Sequence, residues 1–169
     1  TKTNWAKCPH CQKRIKDEHL KSVDELQSYF VKRMEKYINS KGKRVIGWDE
    51  ILEGGLAPDA TVMSWRGEKG GIEAAQQNHD VIMTPGSPCY FDHYQGDPET
   101  EPLAIGGFNT LKKVYKYEPI PAELNAEQAK RVLIIFAHAH KGENFDTEMD
   151  EANVAFGKIE NMRKLYKCI

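Results

Sequence analysis

Arg44-Val45-Ile46-Gly47-Trp48, Thr61-Val62-Met63-Ser64-Trp65 and Val81-Ile82-Met83-Thr84 are three short apolar runs within residues 44–84. Each is rich in β-branched or aromatic residues and too short for a helix of ordinary length, so each reads as a strand. Their apolar character is continuous rather than alternating, as expected for strands covered on both faces. Between the second and third lies Gly71 to Asn78, which reads as a helix. Strand–helix–strand alternation predicts parallel strands joined by right-handed crossovers. Polar and aromatic residues follow the strand ends, Asp49-Glu50 after the first and Arg66 after the second, which points to a site at the carboxyl edge of the sheet.

Outward from this stretch the pattern continues. Ser22-Val23-Asp24-Glu25 is a capping box, and Val23, Leu26, Phe30, Met34, Tyr37 and Ile38 follow the three-four spacing of one helix face, with Gly42 as its stop. Ser87 to Glu118 is rich in Gly, Pro, Asp and Tyr and reads as a long loop over the sheet. Ala122 to Arg131 is a further helix candidate, Val132 to Ala137 a strand, and Asp150 to Lys167 another helix.

Lys and Arg total 24 against 25 Asp and Glu, a net charge of −1, so no basic field for nucleic acid is expected. No apolar run approaches the ~20 residues of a membrane-spanning helix, so no membrane partner is expected either. A chain of 169 residues supplies one core, or one piece of a larger domain. It opens on Thr1 with no basic-then-apolar leader, so the expectation is a cut N-terminus with any signal peptide outside the sequence.

Trp48 and Trp65 each end a predicted strand, and Tyr90 with Asp92 opens the loop after the third. Converging on one rim, they suit a sugar: indole faces stack on ring C–H groups while a carboxylate accepts from hydroxyls. The alternative is that each tryptophan is a core anchor, which becomes harder to hold for three positions in register. Cys8-Pro9-His10-Cys11 has the gap that lets two sulfurs face one ion or each other. His19 offers a third ligand but no fourth follows, so free thiols or a local disulfide are preferred to zinc or redox catalysis, and no metal or cofactor is expected. His138 and His140 would share one strand face, more readily as an exposed strand end than as a metal pair. His79 reads as a charge at a helix end, His93 adjoins Asp92, and Lys112 to Lys116 reads as a solvated face.

Residues 4–133 resemble the second half of the catalytic barrel of family 20 glycoside hydrolases, the β-N-acetylhexosaminidases. The resemblance rests on Gly47-Trp48-Asp49-Glu50-Ile51, Ser64-Trp65-Arg66-Gly67, Ser87-Pro88-Cys89-Tyr90-Phe91-Asp92 with Tyr94-Gln95, and Glu127-Gln128-Ala129-Lys130-Arg131-Val132-Leu133. It implies an α/β fold, a partial (β/α)8 barrel of about strands five to seven with flanking helices; a full barrel takes about 250 residues, so this chain alone does not close one. It also implies retaining hydrolysis of terminal N-acetylglucosamine or N-acetylgalactosamine, with the substrate's own 2-acetamido carbonyl as nucleophile. On this resemblance Trp48 and Trp65 wall the N-acetyl pocket, Tyr90 supports the oxazolinium, Asp92 holds sugar hydroxyls, and a secreted or periplasmic setting follows.

The family's acid pair follows a Gly-Gly step at the end of the fourth strand, and no Gly-Gly-Asp-Glu occurs here. Asp49-Glu50 belongs to the match one strand later, so these two are expected to line the pocket or support it. After Leu133 the family's tryptophan and glutamate are missing, and residues 134–169 are expected to be a divergent tail of strand plus helix. The expectation is therefore a hexosaminidase segment that is inactive alone. A vestigial sugar-binding module is the alternative, and a small metal or redox module built on Cys8 and Cys11 a weaker one. Open sheet edges are expected to recruit a second copy, giving a homo-oligomer.

Overall fold

Three parallel strands come in chain order where the sequence places them, and a fourth extends them. The structure, a computed structural model, describes residues 2–134. Strands β1 (Ile46–Trp48), β2 (Thr61–Ser64), β3 (Val81–Met83) and β4 (Val132–Ile134) form one sheet in the order β1-β2-β3-β4. Every neighbouring pair is parallel. The helices are α1 (Lys2–Lys7), α2 (Pro9–Asp17), α3 (Val23–Asn39), α4 (Lys69–Gln76), the helical turn α5 (Gly86–Cys89), α6 (Leu111–Lys116) and α7 (Ala126–Ala129), with a 3₁₀ turn at Asp49–Leu52.

Register decides which residues share a face. Gly47, Val62, Val81 and Val132 stand side by side, as do Trp48, Met63, Ile82 and Leu133 one residue on. The first row meets α4: Val62, Ala74, Ala75, Val81, Met83 and Val132 form the core, with Ile51, Leu52, Leu56 and Leu124 packed against it. Burying each of the larger side chains contributes about 1.5–3 kcal/mol. The second row looks away from α4, and there Trp48 and Leu133 stay open to solvent. Ile82, at the centre of that row, is buried, so the second face is open only toward the sheet edges, and the sheet is not closed, as expected of a barrel segment.

Helix α3 begins where the sequence places it, with the Glu25 N–H donating to Ser22 Oγ at 3.3 Å. The stripe of Phe30 and Tyr37 points outward, however, 59% and 62% exposed, while the buried residues are Ser28 and Glu35. Polar contacts dock this helix: Ser28 Oγ donates to the Gly55 carbonyl at 2.5 Å, and Glu35 Oε1 accepts from the Asp59 N–H at 2.8 Å. The expected Ala122–Arg131 helix shortens to Ala126–Ala129, held by a capping box between Asn125 and Gln128. The residues 135–137 of the predicted fourth strand, the Asp150–Lys167 helix, and His138 and His140 lie outside the described residues.

Candidate active-site rim

At the carboxyl end of β1 the backbone turns at once into the Asp49–Leu52 3₁₀ turn, which carries two adjacent carboxylates. Asp49 turns inward and is 2% exposed. Its carboxylate accepts from Arg66 Nε at 2.6 Å and from the Arg66 N–H at 3.3 Å, tying the turn after β1 to the segment after β2. Glu50 reaches Trp65 while staying 4.0 Å from Arg66 Nε. Both its oxygens accept from the Trp65 indole N–H at 3.2 Å, and its carbonyl accepts from Gln27 Nε2 of α3 at 2.6 Å.

Trp65 thereby stands against Trp48, with ring centroids 6.4 Å apart and planes at 77°. An edge-to-face indole pair of this kind is favourable by about 0.5–1.5 kcal/mol beyond its buried area. The two rings are 52% and 36% exposed, so they are surface walls rather than core anchors. Tyr90 completes the enclosure. Trp48, Glu50, Trp65 and Tyr90, with Gln27, Val31, Gly47 and Ile51, line one cavity of about 590 Å³. Asp49 instead lines a separate hollow of about 380 Å³ with Arg66 and Glu53.

Asp92 lies beside the cavity rather than in its lining. It acts on Tyr90 through charge: burial first, then Asp92, pushes the phenol above its ordinary value, so Tyr90 keeps its O–H as a donor. His93 leans on the same ring, with centroids 5.8 Å apart. Glu50 is governed by opposing effects. Burial pushes its carboxyl up, but its own N–H, the Trp65 indole and Arg66 outweigh this and hold it below the usual carboxylate range.

Several residues that shape the rim carried no signal of their own in the sequence. Asn109 is buried in the predicted loop; its Nδ2 donates to the carbonyls of Gly86 and Tyr90 at 2.9 and 2.7 Å, and its Oδ1 accepts from Ser87 Oγ at 2.9 Å. Gln27 and Val31 come from a helix far upstream, and Arg66 was legible only as the residue after Trp65. His79 is a tether: its Nδ1–H donates to the Ala60 carbonyl at 2.9 Å. Among the described residues no group of three or more His, Cys, Asp and Glu side chains is arranged to hold a metal ion. His19 follows the C-terminal end of α2 while Cys8 and Cys11 sit at its start, and nine residues of helix span about 13 Å.

A parallel sheet with its helices in chain order and side chains gathered at its carboxyl ends is the layout of a segment of an α/β barrel. The model of the glycosyl hydrolase family 20 catalytic domain matches residues 1–151, and the chain belongs to that family. It is 63% identical over 133 residues to a beta-hexosaminidase of Porphyromonas gingivalis, covering 78% of this chain and 17% of that protein. A beta-hexosaminidase of Vibrio furnissii is 34% identical over 118 residues, covering 69% of this chain and 19% of that protein. Among solved structures, a family 20 exo-β-N-acetylglucosaminidase of Vibrio harveyi in complex with N-acetylglucosamine superposes with a TM-score of 0.60 at 30% identity, over 76% of this chain and 20% of that one. The chain thus spans about a fifth of the length of the relatives it matches. No described helix is long and apolar enough to cross a membrane.

Proposed function

We propose that this chain is a segment of a secreted or periplasmic β-N-acetylhexosaminidase acting on terminal N-acetylglucosamine or N-acetylgalactosamine of glycans, and that it supplies the sugar-binding rim without the proton donor. The observation that carries this reading is the single cavity bounded by Trp48, Glu50, Trp65 and Tyr90. Residues 1–133 carry the rim, and the family match continues to residue 151.

In the retaining, substrate-assisted route the 2-acetamido carbonyl attacks the anomeric carbon while an acid protonates the departing oxygen. Trp48 and Trp65 wall the acetamido group, and the Tyr90 O–H donates to its oxygen as charge moves through it. Asp92 accepts from sugar hydroxyls. Asp49, locked to Arg66, holds the two strand-end segments in place rather than transferring protons. A general acid working near neutral pH needs a raised pKa. Glu50 is held low and is already engaged by Trp65, which supports placing the acid pair outside this chain.

The test is hydrolysis of a chromogenic N-acetylglucosaminide by the purified chain, run beside Glu50→Gln. Positioned acid catalysis contributes about 10²- to 10⁴-fold, so neither protein is expected to give measurable turnover. Weak binding of N-acetylglucosamine is expected, and Trp65→Ala should remove it. Turnover that disappears in Glu50→Gln would overturn the reading and make Asp49-Glu50 the working pair.

A further inference from the structure

Away from the rim stand two free cysteines, Cys8 and Cys11, both half-buried. The Cys8 N–H donates to the Trp5 carbonyl at 3.3 Å, closing α1, and its own carbonyl accepts from the Gln12 N–H at 3.0 Å as the first bond of α2. Cys8 is therefore the N-cap of α2, with Pro9 in the first helical position. Proline brings no N–H, so the amides left at the head of the helix are those of His10 and Cys11. The Cys11 amide, then the Cys11 thiol and the His10 amide, hold the Cys8 thiol below its ordinary value against slight desolvation. Cys11 is pushed up, first by the neighbouring Cys8 sulfur and then by burial. One sulfur, its pKa lowered, thus sits at the N-cap of a nine-residue helix, and its partner sits at the third helical position.

We propose that Cys8 and Cys11 form a thiol–disulfide exchange site whose substrate is a low-molecular-weight disulfide, independent of the sugar-binding rim. The Cys8 thiolate attacks one sulfur of the disulfide, forming a mixed disulfide and expelling a thiolate that takes up a proton from water. Cys11 then loses its proton to water and attacks the Cys8 sulfur, expelling the second thiolate. In sum the two protein thiols are oxidised to one disulfide and the substrate disulfide is reduced to two thiols. The order is built in. Forming the mixed disulfide removes the negative charge from Cys8, and with it the largest cause that keeps Cys11 protonated. Both thiols are partly exposed, and Cys11 lines a groove of about 550 Å³ with Trp5, Arg14, Tyr29 and Phe30. Cys89 shows the contrast: it is fully buried and its thiol is pushed up to about 12 by desolvation.

The experiment uses the intact protein carrying this sequence, first reduced and freed of reductant, then exposed to oxidised glutathione and mapped by peptide mass spectrometry. The unsubstituted protein is expected to lose two hydrogens across Cys8 and Cys11 and regain them with dithiothreitol. Cys11→Ser should retain glutathione on Cys8. Cys8→Ser, which keeps a favoured N-cap residue, should take up glutathione at Cys11 at least about tenfold more slowly. A protein that stays dithiol throughout overturns the proposal, and so do equal rates of uptake by Cys8→Ser and Cys11→Ser.

Discussion

Asn109, 2% exposed, commits its side-chain amide to Gly86, Ser87 and Tyr90, while its N–H donates to the Tyr94 carbonyl at 2.7 Å. One side chain therefore closes the loop on which Tyr90 rides. Truncation to Ala leaves buried polar groups without partners, at about 1–3 kcal/mol each when unsatisfied. Asn109→Ala should lower the unfolding free energy by about that much, read as a lower denaturant midpoint with an unchanged m-value. Glu50 makes a pH-dependent contribution. Its folded pKa lies below the unfolded value, so its stabilisation is complete above the unfolded value of about 4.3 and is lost as pH falls through the folded one. The carboxylate is 41% exposed, so the effect is small. Thermal unfolding of the chain and of Glu50→Gln should differ by a constant amount at neutral pH, and the two curves should converge as pH falls below the ordinary glutamate range.

At the scale of elements, α4 rests against the sheet because Gly71 has no side chain. A Cβ there would lie 2.7 Å from Met83 Sδ and 2.9 Å from Val81 Cγ1, both in the buried core. Alanine would gain up to about 1 kcal/mol in helix propensity, but overpacking costs about 1–3 kcal/mol and wins. Gly71→Ala should therefore lower Tm, and Gly71→Val more so. The strands and α4 were legible because their apolar runs are short and punctuated; α3 was legible from its cap. The face it buries was not, because Ser28 and Glu35 look like solvent residues until Gly55 and Asp59 are brought to them. Helices α1 and α2 escaped for a different reason: the Cys8-Pro9 break divides them into pieces of six and nine residues, too short and too polar on average to stand out. Four of the six rim residues meet in one cavity as their strand-end positions imply. Asp49 departs because its carboxylate is taken up by Arg66 in the neighbouring hollow, and adjacency along the chain could not reveal that pairing.

For the molecule as a whole, β1 and β4 are the edges of the described sheet, and the face opposite α4 leaves Ile46, Trp48 and Leu133 exposed. Unpaired edges invite strand addition. In isolation the chain should form a dimer or larger assembly in light scattering at tens of micromolar, and Ile46→Lys should shift it toward monomer. A monodisperse monomer of the unsubstituted chain would refute this. The sheet's spatial order also equals its order of synthesis: each strand pairs with the one made just before it, and nothing in β1 to β3 waits for a partner from the far end. A chain leaving the ribosome N-terminus first can therefore lay down each strand on a template already in place. Stalled nascent chains should gain protease resistance stepwise as Ser64, Met83 and then Ile134 emerge, rather than in one final step.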